Sequence, residues 1–387
     1  MSPSARAACL VLFACQSGGP SPTPPNPEPP PAAPTEPAPP GPAPPAAPEL
    51  KVAVQTGTIN SAKLRHRLTH TTWLGELAWS PDGARLATGD DDGNLRIWDA
   101  RTGQPAVDLG RHERRTTALA YAPGGELLAV AASLDLRVWD PATGAEVSRL
   151  PGHGDLIIHL RFVGDELHAV DLRNSLRRWD PRTGKQLGDL EVPTIHELSL
   201  AIAPGGAALA MGGYGDIELI DLPARTTRFK HDMPRCDRQS KDLLCAGWKT
   251  RRIEEFGDEG LPPSTHEESS PNWFIQDLAF SADGALLLAG RADGVALLFD
   301  ARDGKPLARF TVGDDDHAFV AISPDGAAVA AANHDGLLKI WDVTSKRELQ
   351  LIHEPHQHIS GLAFAPDASA LAAAGPGPAV TIWDLAR

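Results

Sequence analysis

From Leu74 onward, apolar and polar residues alternate in short segments that Gly, Pro and Asp residues separate. In the first unit, LGELAWS (74–80) and ARLATG (84–89) alternate as half-buried strands do, and the intervening SPDG is a turn signal. NLRIWD (94–99) and PAVDL (105–109) continue the same pattern after further turns. The unit therefore predicts four short antiparallel strands joined by tight turns.

This unit recurs along the chain. NLRIWDARTG at 94–103 returns with small changes at 135–144 and 175–184. The last residues of the WD-like steps lie 40–42 residues apart, except for one interval of 79: Asp99, Asp140, Asp180, Asp221, Asp300, Asp342 and Asp384. Four strands about every 41 residues are typical of one blade of a β-propeller. The long interval predicts a degenerate repeat, so we expect an all-β chain with a single propeller of eight four-stranded blades, seven clear and one degenerate.

The ends of the repeats predict how the ring closes. The last unit stops at Asp384 after its third strand, whereas AKLRHRL (62–68) precedes the first unit without a sheet of its own. Pairing the two would cover two exposed sheet edges. We therefore expect the N-terminal strand to close the last blade. In the turn after the third strand, the pattern places glycine where a hairpin needs positive φ, at Gly103, Gly144, Gly184 and Gly304.

The repeated units resemble the WD-repeat family over residues 63–387. In the first unit, His70, Thr88, Asp92 and Trp98 stand at the spacings of the structural tetrad of that family. The resemblance implies that the four side chains are hydrogen-bonded through the blade. In the other repeats the tetrad is incomplete. The resemblance also implies that partners bind to the face formed by the loops before the first strands and between the second and third strands.

Four aromatic residues are candidates for partner binding on that face. Trp73 and Trp273 precede first strands, and Tyr214 and Trp248 occupy the turn position that normally holds Asp. Exposed aromatic side chains are common anchors of protein interfaces. In the alternative interpretation, these residues pack the long segment Gly257–Asn272 onto the propeller.

Histidines recur before the first strands, and their spacing raises the question of a metal site. Their positions match the tetrad histidine, and one histidine per blade keeps them apart around the ring, so we predict a structural role rather than metal binding. The histidines concerned are His70, His112, His153, His196, His231, His317 and His358. No motif for a catalytic residue, a metal or a cofactor stands out, and we expect none.

Cys236 and Cys245 both fall in the interval assigned to the degenerate repeat. Aligned on the other repeats, they lie on adjacent antiparallel strands and face the same side, about two residues out of register. We expect a disulfide between them, because an exported protein is exposed to an oxidising environment. Two reduced, buried thiols are the alternative.

The N-terminus predicts export and anchoring. Arg6 precedes a short apolar run, and Leu12-Phe13-Ala14-Cys15 resembles the lipobox of bacterial lipoproteins, which implies a signal peptide over residues 1–15 and lipidation of Cys15. Residues 16–48 contain 16 prolines among 33 positions, a composition that cannot form a core and predicts a disordered, extended linker. The propeller is expected over residues 49–387.

The net charge of −14 argues against nucleic acid and anionic lipid surfaces as partners. We therefore predict a monomeric, non-enzymatic scaffold for protein–protein interactions, attached to the membrane of the bacterial cell envelope by its lipid. Gln16 after the anchor favours the outer membrane, by resemblance to enterobacterial lipoproteins. Two alternatives remain open: an envelope enzyme or small-ligand binder that uses the propeller channel, and a cytosolic WD-repeat scaffold.

Overall fold

A computed structural model describes residues 58–70, 72, 74–173, 175–191, 197–213, 216–222, 224–232, 251–255, 264–268, 274–313, 317–354, 358–375, 377 and 379–387. Within these ranges the chain forms seven four-stranded antiparallel sheets, one two-stranded sheet and a 3-10 turn at Pro204–Gly206. Each four-stranded sheet is one blade of a propeller.

The strands are numbered along the chain and are given from the innermost to the outermost strand of each blade. Blade 1 has β2 (Leu74–Trp79), β3 (Arg85–Asp90), β4 (Asn94–Asp99) and β5 (Pro105–Arg111); blade 2 has β6 (Ala118–Tyr121), β7 (Leu128–Ala132), β8 (Asp135–Trp139) and β9 (Glu146–Arg149); blade 3 has β10 (Ile157–Val163), β11 (Glu166–Asp171), β12 (Ser175–Trp179) and β13 (Gln186–Glu191); blade 4 has β14 (Glu197–Ile202), β15 (Ala208–Gly213), β16 (Asp216–Asp221) and β17 (Thr226–Asp232). Blade 5 has β20 (Ile275–Phe280), β21 (Leu286–Arg291), β22 (Val295–Asp300) and β23 (Pro306–Thr311); blade 6 has β24 (Phe319–Ile322), β25 (Ala328–Ala332), β26 (Leu337–Asp342) and β27 (Glu348–His353); blade 7 has β28 (Gly361–Phe364), β29 (Ala370–Ala374), β30 (Ala379–Ala386) and β1 (Ser61–Thr69). The two-stranded sheet is a hairpin of β18 (Arg251–Glu255) and β19 (Ser264–Glu268).

The innermost strand of each blade contacts the innermost strands of both neighbouring blades, so the seven sheets form a closed ring. The N-terminal strand β1 pairs antiparallel with β30 and supplies the fourth strand of blade 7, as the strand pattern predicts. Leu68 in β1 is buried, and Arg65 donates a hydrogen bond of 2.6 Å to the carboxylate of Asp384. The ring is therefore latched by pairing between the two ends of the propeller.

The prediction of eight blades is wrong, because blade 4 packs directly on blade 5. A Cβ added at Gly212 of blade 4 would lie 2.5 Å from the side chain of Ile275 in blade 5. Leu219 and Leu297, from the same two blades, belong to one continuous core. This contact leaves no space for another sheet. The 79-residue interval thus holds an insertion between two blades, and its described strands, β18 and β19, pair with each other.

Small apolar residues let the blades pack closely on one another. The second strands β25 and β29 read AVAAA and ALAAA, and every residue in them is buried. Each large core cluster joins side chains of adjacent blades. The predicted positive φ is confirmed at Gly103, where φ is 69°, and its three equivalents lie between 73° and 76°.

Candidate functional site

In blade 1, a buried hydrogen-bonded set joins the loop before β2 to β3 and β4. The Thr88 hydroxyl lies 2.8 Å from Nε2 of His70 and accepts a hydrogen bond of 2.8 Å from Nε1 of Trp98. The nearest carboxylate, 3.7 Å from Nδ1 of His70, belongs to Asp90. Burial is the main cause that lowers the pKa of His70 to about 4, although Asp90 opposes this shift. His70 is therefore neutral near pH 7.

The structure places Asp92 outside this set. Asp92 is exposed, and its backbone carbonyl accepts a hydrogen bond from Arg111. Asp90 is fully buried and also accepts hydrogen bonds from the backbone and the side chain of Asn94. The carboxylate beside the set is therefore that of Asp90 rather than Asp92, and it lies beyond hydrogen-bond distance of Nδ1 of His70.

Blades 2 and 3 contain only part of this arrangement. His112 faces Asp135 at 3.2 Å, and His153 faces Asp171 at 3.0 Å. Burial is the main cause that lowers the pKa of both histidines. In the described part of the chain, Nε1 of the blade tryptophans and Nε2 of these histidines have no hydrogen-bond partner. The tryptophans concerned are Trp139 and Trp179. They lack a partner because Val130 and Ala169, which have no hydroxyl group, occupy the strand position of Thr88.

The remaining predicted histidines have other surroundings. His231 lies on β17, and its Nε2 is 2.6 Å from the carbonyl oxygen of Gly304 in blade 5. His317 stacks on His334 with ring centroids 4.2 Å apart, and His334 meets His358 at 5.8 Å. No group of three or more His, Cys, Asp or Glu residues within the described ranges could hold a metal ion.

Several predicted site residues lie outside the described residues. They are the lipidation site Cys15, the cysteines Cys236 and Cys245, the partner-binding aromatics Trp73, Tyr214, Trp248 and Trp273, and His196. In the residues that the structure does describe, no helix has the length and apolar character needed to cross a bilayer.

A groove of about 660 Å³ opens between blades 2 and 3. It is lined by the loops that precede these blades and by the turns between their second and third strands, so it lies on the face that the WD-repeat resemblance implies for partner binding. Leu134 in the wall is 49% exposed, and Leu172, next to lining residue Arg173, is 47% exposed. The groove thus combines accessible aliphatic surface with charge.

Ion pairs hold most of the arginine side chains of this groove. Arg137 donates a hydrogen bond of 2.7 Å to Asp135 and also lies 3.4 Å from Glu146, and Arg173 contacts Asp155 at 3.1 Å. The turn beside them is fixed by Ser133, whose φ of 62° lies in the left-handed region. Paired arginines and a fixed turn give the groove a defined shape without a bound partner.

A second cavity, of about 600 Å³, is lined by the innermost strands of six of the seven blades and is therefore part of the central channel. Its charged lining residues are Glu76 from blade 1, His159 and Arg161 from blade 3, and Asp277 from blade 5. Glu76, His159 and Asp277 each follow a β-bulge in an innermost strand. Because a bulge re-aims the side chains of a strand, the same irregularity places these three groups at the channel.

Burial shifts the protonation of these channel residues. It raises the pKa of Glu76 to about 8, with a further contribution from the Asp277 carboxylate, and raises the pKa of Asp277 to about 6. It lowers the pKa of His159 to about 4 and also lowers the pKa of Arg161. Nε2 of His159 accepts a hydrogen bond from the backbone N–H of Ile202, so the neutral ring carries its proton on Nδ1.

Sequence reasoning did not identify this channel lining. In segments such as LGELAWS and IQDLAF, the polar position of an alternating strand is normally assigned to solvent. In a propeller, the innermost strands surround the central channel. A polar side chain of such a strand can therefore line the channel instead of the outer surface. The available signal was the repeated placement of a charged residue at one strand position in different repeats.

Comparisons with known proteins agree with this architecture. The family described as "WD domain, G-beta repeat" matches residues 62–99, 263–300 and 305–342. The nuclear distribution protein nudF 2 of Aspergillus clavatus is 35% identical over 101 residues, which cover 24% of this chain and 23% of the relative. The human WD repeat and SOCS box-containing protein 1 is 37% identical over 87 residues, which cover 22% and 21%.

WD repeat-containing protein slp1 of Schizosaccharomyces pombe is 36% identical over 83 residues, which cover 20% of this chain and 17% of that protein. The chain thus spans less than a quarter of the length of these eukaryotic relatives. The match at 62–99 runs from β1, the outermost strand of blade 7, to the end of β4, the third strand of blade 1. The match at 305–342 likewise runs from the start of the outermost strand of blade 5 to the end of the third strand of blade 6. One sequence repeat therefore spans two blades, as the closure by β1 requires. Three segments of the chain thus match the WD-repeat family model, and the described residues form a seven-bladed propeller.

Proposed function

We propose that this protein is a non-enzymatic scaffold that binds another protein in the groove between blades 2 and 3, and that a lipid on Cys15 anchors it in the bacterial cell envelope. The observation that carries the docking proposal is the groove itself, which brings the exposed Leu134, the half-buried Leu156 and several arginines together on the loop face. The proline-rich residues 16–48 act as the tether between anchor and propeller.

The chemistry of the groove supports a protein as its occupant. Apolar side chains at the centre of a polar rim are typical of interfaces, and arginine is enriched among the residues that contribute most to binding. Leu134 and Leu156 supply the apolar part, and the exposed Leu172 lies next to the lining residue Arg173. Because Asp135 and Asp155 already hold Arg137 and Arg173, little side-chain ordering is needed when a partner binds.

The anchor follows from the N-terminal sequence. A cysteine that ends a short apolar run and precedes a proline-rich segment provides an acylation site and a spacer in one stretch of chain. A polyproline-type segment extends by about 3.1 Å per residue, so this one reaches up to roughly 100 Å from the membrane. Confinement to that volume raises the effective concentration of the propeller toward other envelope proteins.

Site-specific cross-linking tests the docking surface. A photo-reactive amino acid is placed at Leu134 in one variant and at Leu187 in another, since Leu187 is 40% exposed but lies on the outermost strand of blade 3. We expect a protein to be captured at Leu134 and identified by mass spectrometry, with capture lost when Leu172→Asp is added. Equal capture of the same protein at Leu187 would contradict the groove.

Metabolic labelling with a fatty-acid analogue tests the anchor. We expect the wild type and Cys9→Ser to incorporate label and fractionate with membranes, and Cys15→Ser to do neither. Cys9 is the matched control because it lies six residues before Cys15 in the same leader. An unlabelled, soluble wild type would exclude the anchor and leave the docking proposal to be judged on its own test.

A further inference from the structure

We propose that the central channel binds a small zwitterionic molecule, with its cationic nitrogen at the carboxylates of Glu76 and Asp277 and its carboxylate at the guanidinium of Arg161. This ligand site is separate from the groove between blades 2 and 3, and its occupancy does not depend on the docking of a protein partner.

The cavity has the size and surroundings of a small-molecule site. Its volume of about 600 Å³ falls within the range of roughly 300–1,000 Å³ that is usual for ligand pockets. Innermost strands from six blades form its wall, so its charged groups are held by sheet rather than by loops. Between the charged groups the wall combines uncharged polar residues, such as Ser199 and Gln276, with apolar residues, such as Leu200 and Phe319.

Two charged groups in this cavity have no protein partner. Within the described residues, neither the carboxylate of Glu76 nor the guanidinium of Arg161 makes a hydrogen bond or an ion pair. The arginines of the groove, by contrast, include Arg137 and Arg173 in ion pairs. Burial takes an ionisable group out of water, and a ligand of opposite charge supplies the partner that its ionised form lacks.

The unpaired groups form two poles of opposite charge. Glu76, His159 and Asp277 occupy the same position of their innermost strands, directly after the bulge, whereas Arg161 lies two residues farther along β10. The carboxylates of Glu76 and Asp277 thus form one pole at one level of the channel, and the guanidinium of Arg161 forms another at a different level. The Asp277 carboxylate also accepts hydrogen bonds of 2.8 Å from the backbone N–H groups of Leu278 and Val320. A cation alone would leave Arg161 unpaired, and an anion alone would leave Glu76 unpaired, so a molecule with both charges and an aliphatic spacer fits best.

The acidic pole also predicts a proton coupled to binding. Burial and the neighbouring Asp277 hold the pKa of Glu76 at about 8, so most of this carboxyl is protonated at pH 7. A cationic nitrogen stabilises the ionised form and expels the proton. Binding at pH 7 should therefore release protons, which calorimetry detects as a difference in heat between buffers of different ionisation enthalpy.

The test uses unbranched ω-amino acids, from glycine to 8-aminooctanoate, and the alkylamine and alkanoate of matching length. We expect the best ω-amino acid to bind at least about tenfold more tightly than either single-charge analogue, since a hydrogen bond to a charged group changes affinity by about that factor or more. Glu76→Gln should reduce its affinity to that of the alkanoate and abolish proton release. Arg161→Met should reduce it to that of the alkylamine.

Arg101→Met and Asp165→Asn serve as matched controls, because both residues are exposed and lie outside the channel lining. They should leave affinity unchanged, as should Leu134→Asp, which places a carboxylate in the groove between blades 2 and 3. Thermal unfolding of every variant separates loss of binding from loss of fold. Absence of binding by all ω-amino acids up to about 10 mM, a level that detects even millimolar affinity, or equal affinity for zwitterion and single-charge analogues, would overturn the proposal.

Discussion

Replacing Val130 by Thr should stabilise the propeller, although the change buries a new hydroxyl group. Val130 stands in blade 2 where blade 1 has Thr88, and Nε1 of Trp139 and Nε2 of His112 lie beside it without hydrogen-bond partners. In blade 1, the equivalent nitrogens each lie 2.8 Å from the Thr88 hydroxyl. Because Val and Thr have nearly the same shape, the substitution adds a hydroxyl at the centre of an existing gap in hydrogen bonding.

The magnitude follows from the number of bonds. Two intramolecular hydrogen bonds contribute about 0.5–1.5 kcal/mol each, and burying the hydroxyl costs part of that, so we expect a net gain of about 1 kcal/mol. The reverse change, Thr88→Val, leaves the ring nitrogens of His70 and Trp98 buried without partners and should cost about 2–4 kcal/mol. The comparison therefore predicts opposite signs for the same chemical exchange in adjacent blades.

Urea unfolding followed by tryptophan fluorescence and circular dichroism measures both free energies of unfolding. The ring geometry permits the bonds, since the His112 and Trp139 centroids are 6.1 Å apart, against 5.3 Å for the pair in blade 1. A loss of about 1–3 kcal/mol on Val130→Thr, as expected for an unpaired buried hydroxyl, would refute this reasoning. So would a neutral Thr88→Val.

Three further predictions concern the acid of blade 1, the latch and the channel. Asp90→Ala should lower the free energy of unfolding in urea by about 1–3 kcal/mol, whereas Asp92→Ala should change it by no more than about 0.5 kcal/mol. The reverse order would show that Asp92 is the tetrad residue. Leu68→Ala should lower the free energy of unfolding by about 2–5 kcal/mol, because Leu68 is only 1% exposed. Leu64→Ala on the same strand should lower it far less, because that side chain is 41% exposed. Equal losses would contradict the latch. The folded-state pKa of Glu76 lies above its unfolded value, so its contribution to stability is full below about pH 4.5 and is lost as pH rises toward about 8. Glu76→Gln should therefore raise the thermal midpoint relative to the wild type more near pH 8 than near pH 5. A difference in midpoint between Glu76→Gln and the wild type that stays constant or shrinks from about pH 5 to pH 8 would have the wrong sign.

Most of the fold could be predicted because its signals are local. Alternation fixes the strands, and turn residues such as Gly103 carry their own conformational requirement. The closure by β1 followed from counting unpaired edges. The number of blades could not be read from spacing, since an interval of two periods fits either a degenerate repeat or an insertion. Only the packing of Ile275 against Gly212 distinguishes them.

The site was less predictable for two physical reasons. In the run Asp90-Asp91-Asp92, which carboxylate turns inward depends on the conformation of the turn, and the family spacing favoured Asp92 while Asp90 is the buried one. The groove and the channel combine residues from different blades, such as Leu134 with Arg173 and Glu76 with Asp277. Their proximity depends on ring geometry that no single repeat encodes.

The affinity of the protein captured at Leu134 for the purified propeller tests the proposed scaffold most directly. Binding should weaken at least about tenfold in Leu134→Asp, which places a carboxylate in the groove, and in Leu172→Asp, which places one next to the lining residue Arg173. It should be unchanged in Leu187→Asp on the outermost strand of blade 3. Equal affinity of all three variants and the wild type would contradict docking in the groove between blades 2 and 3.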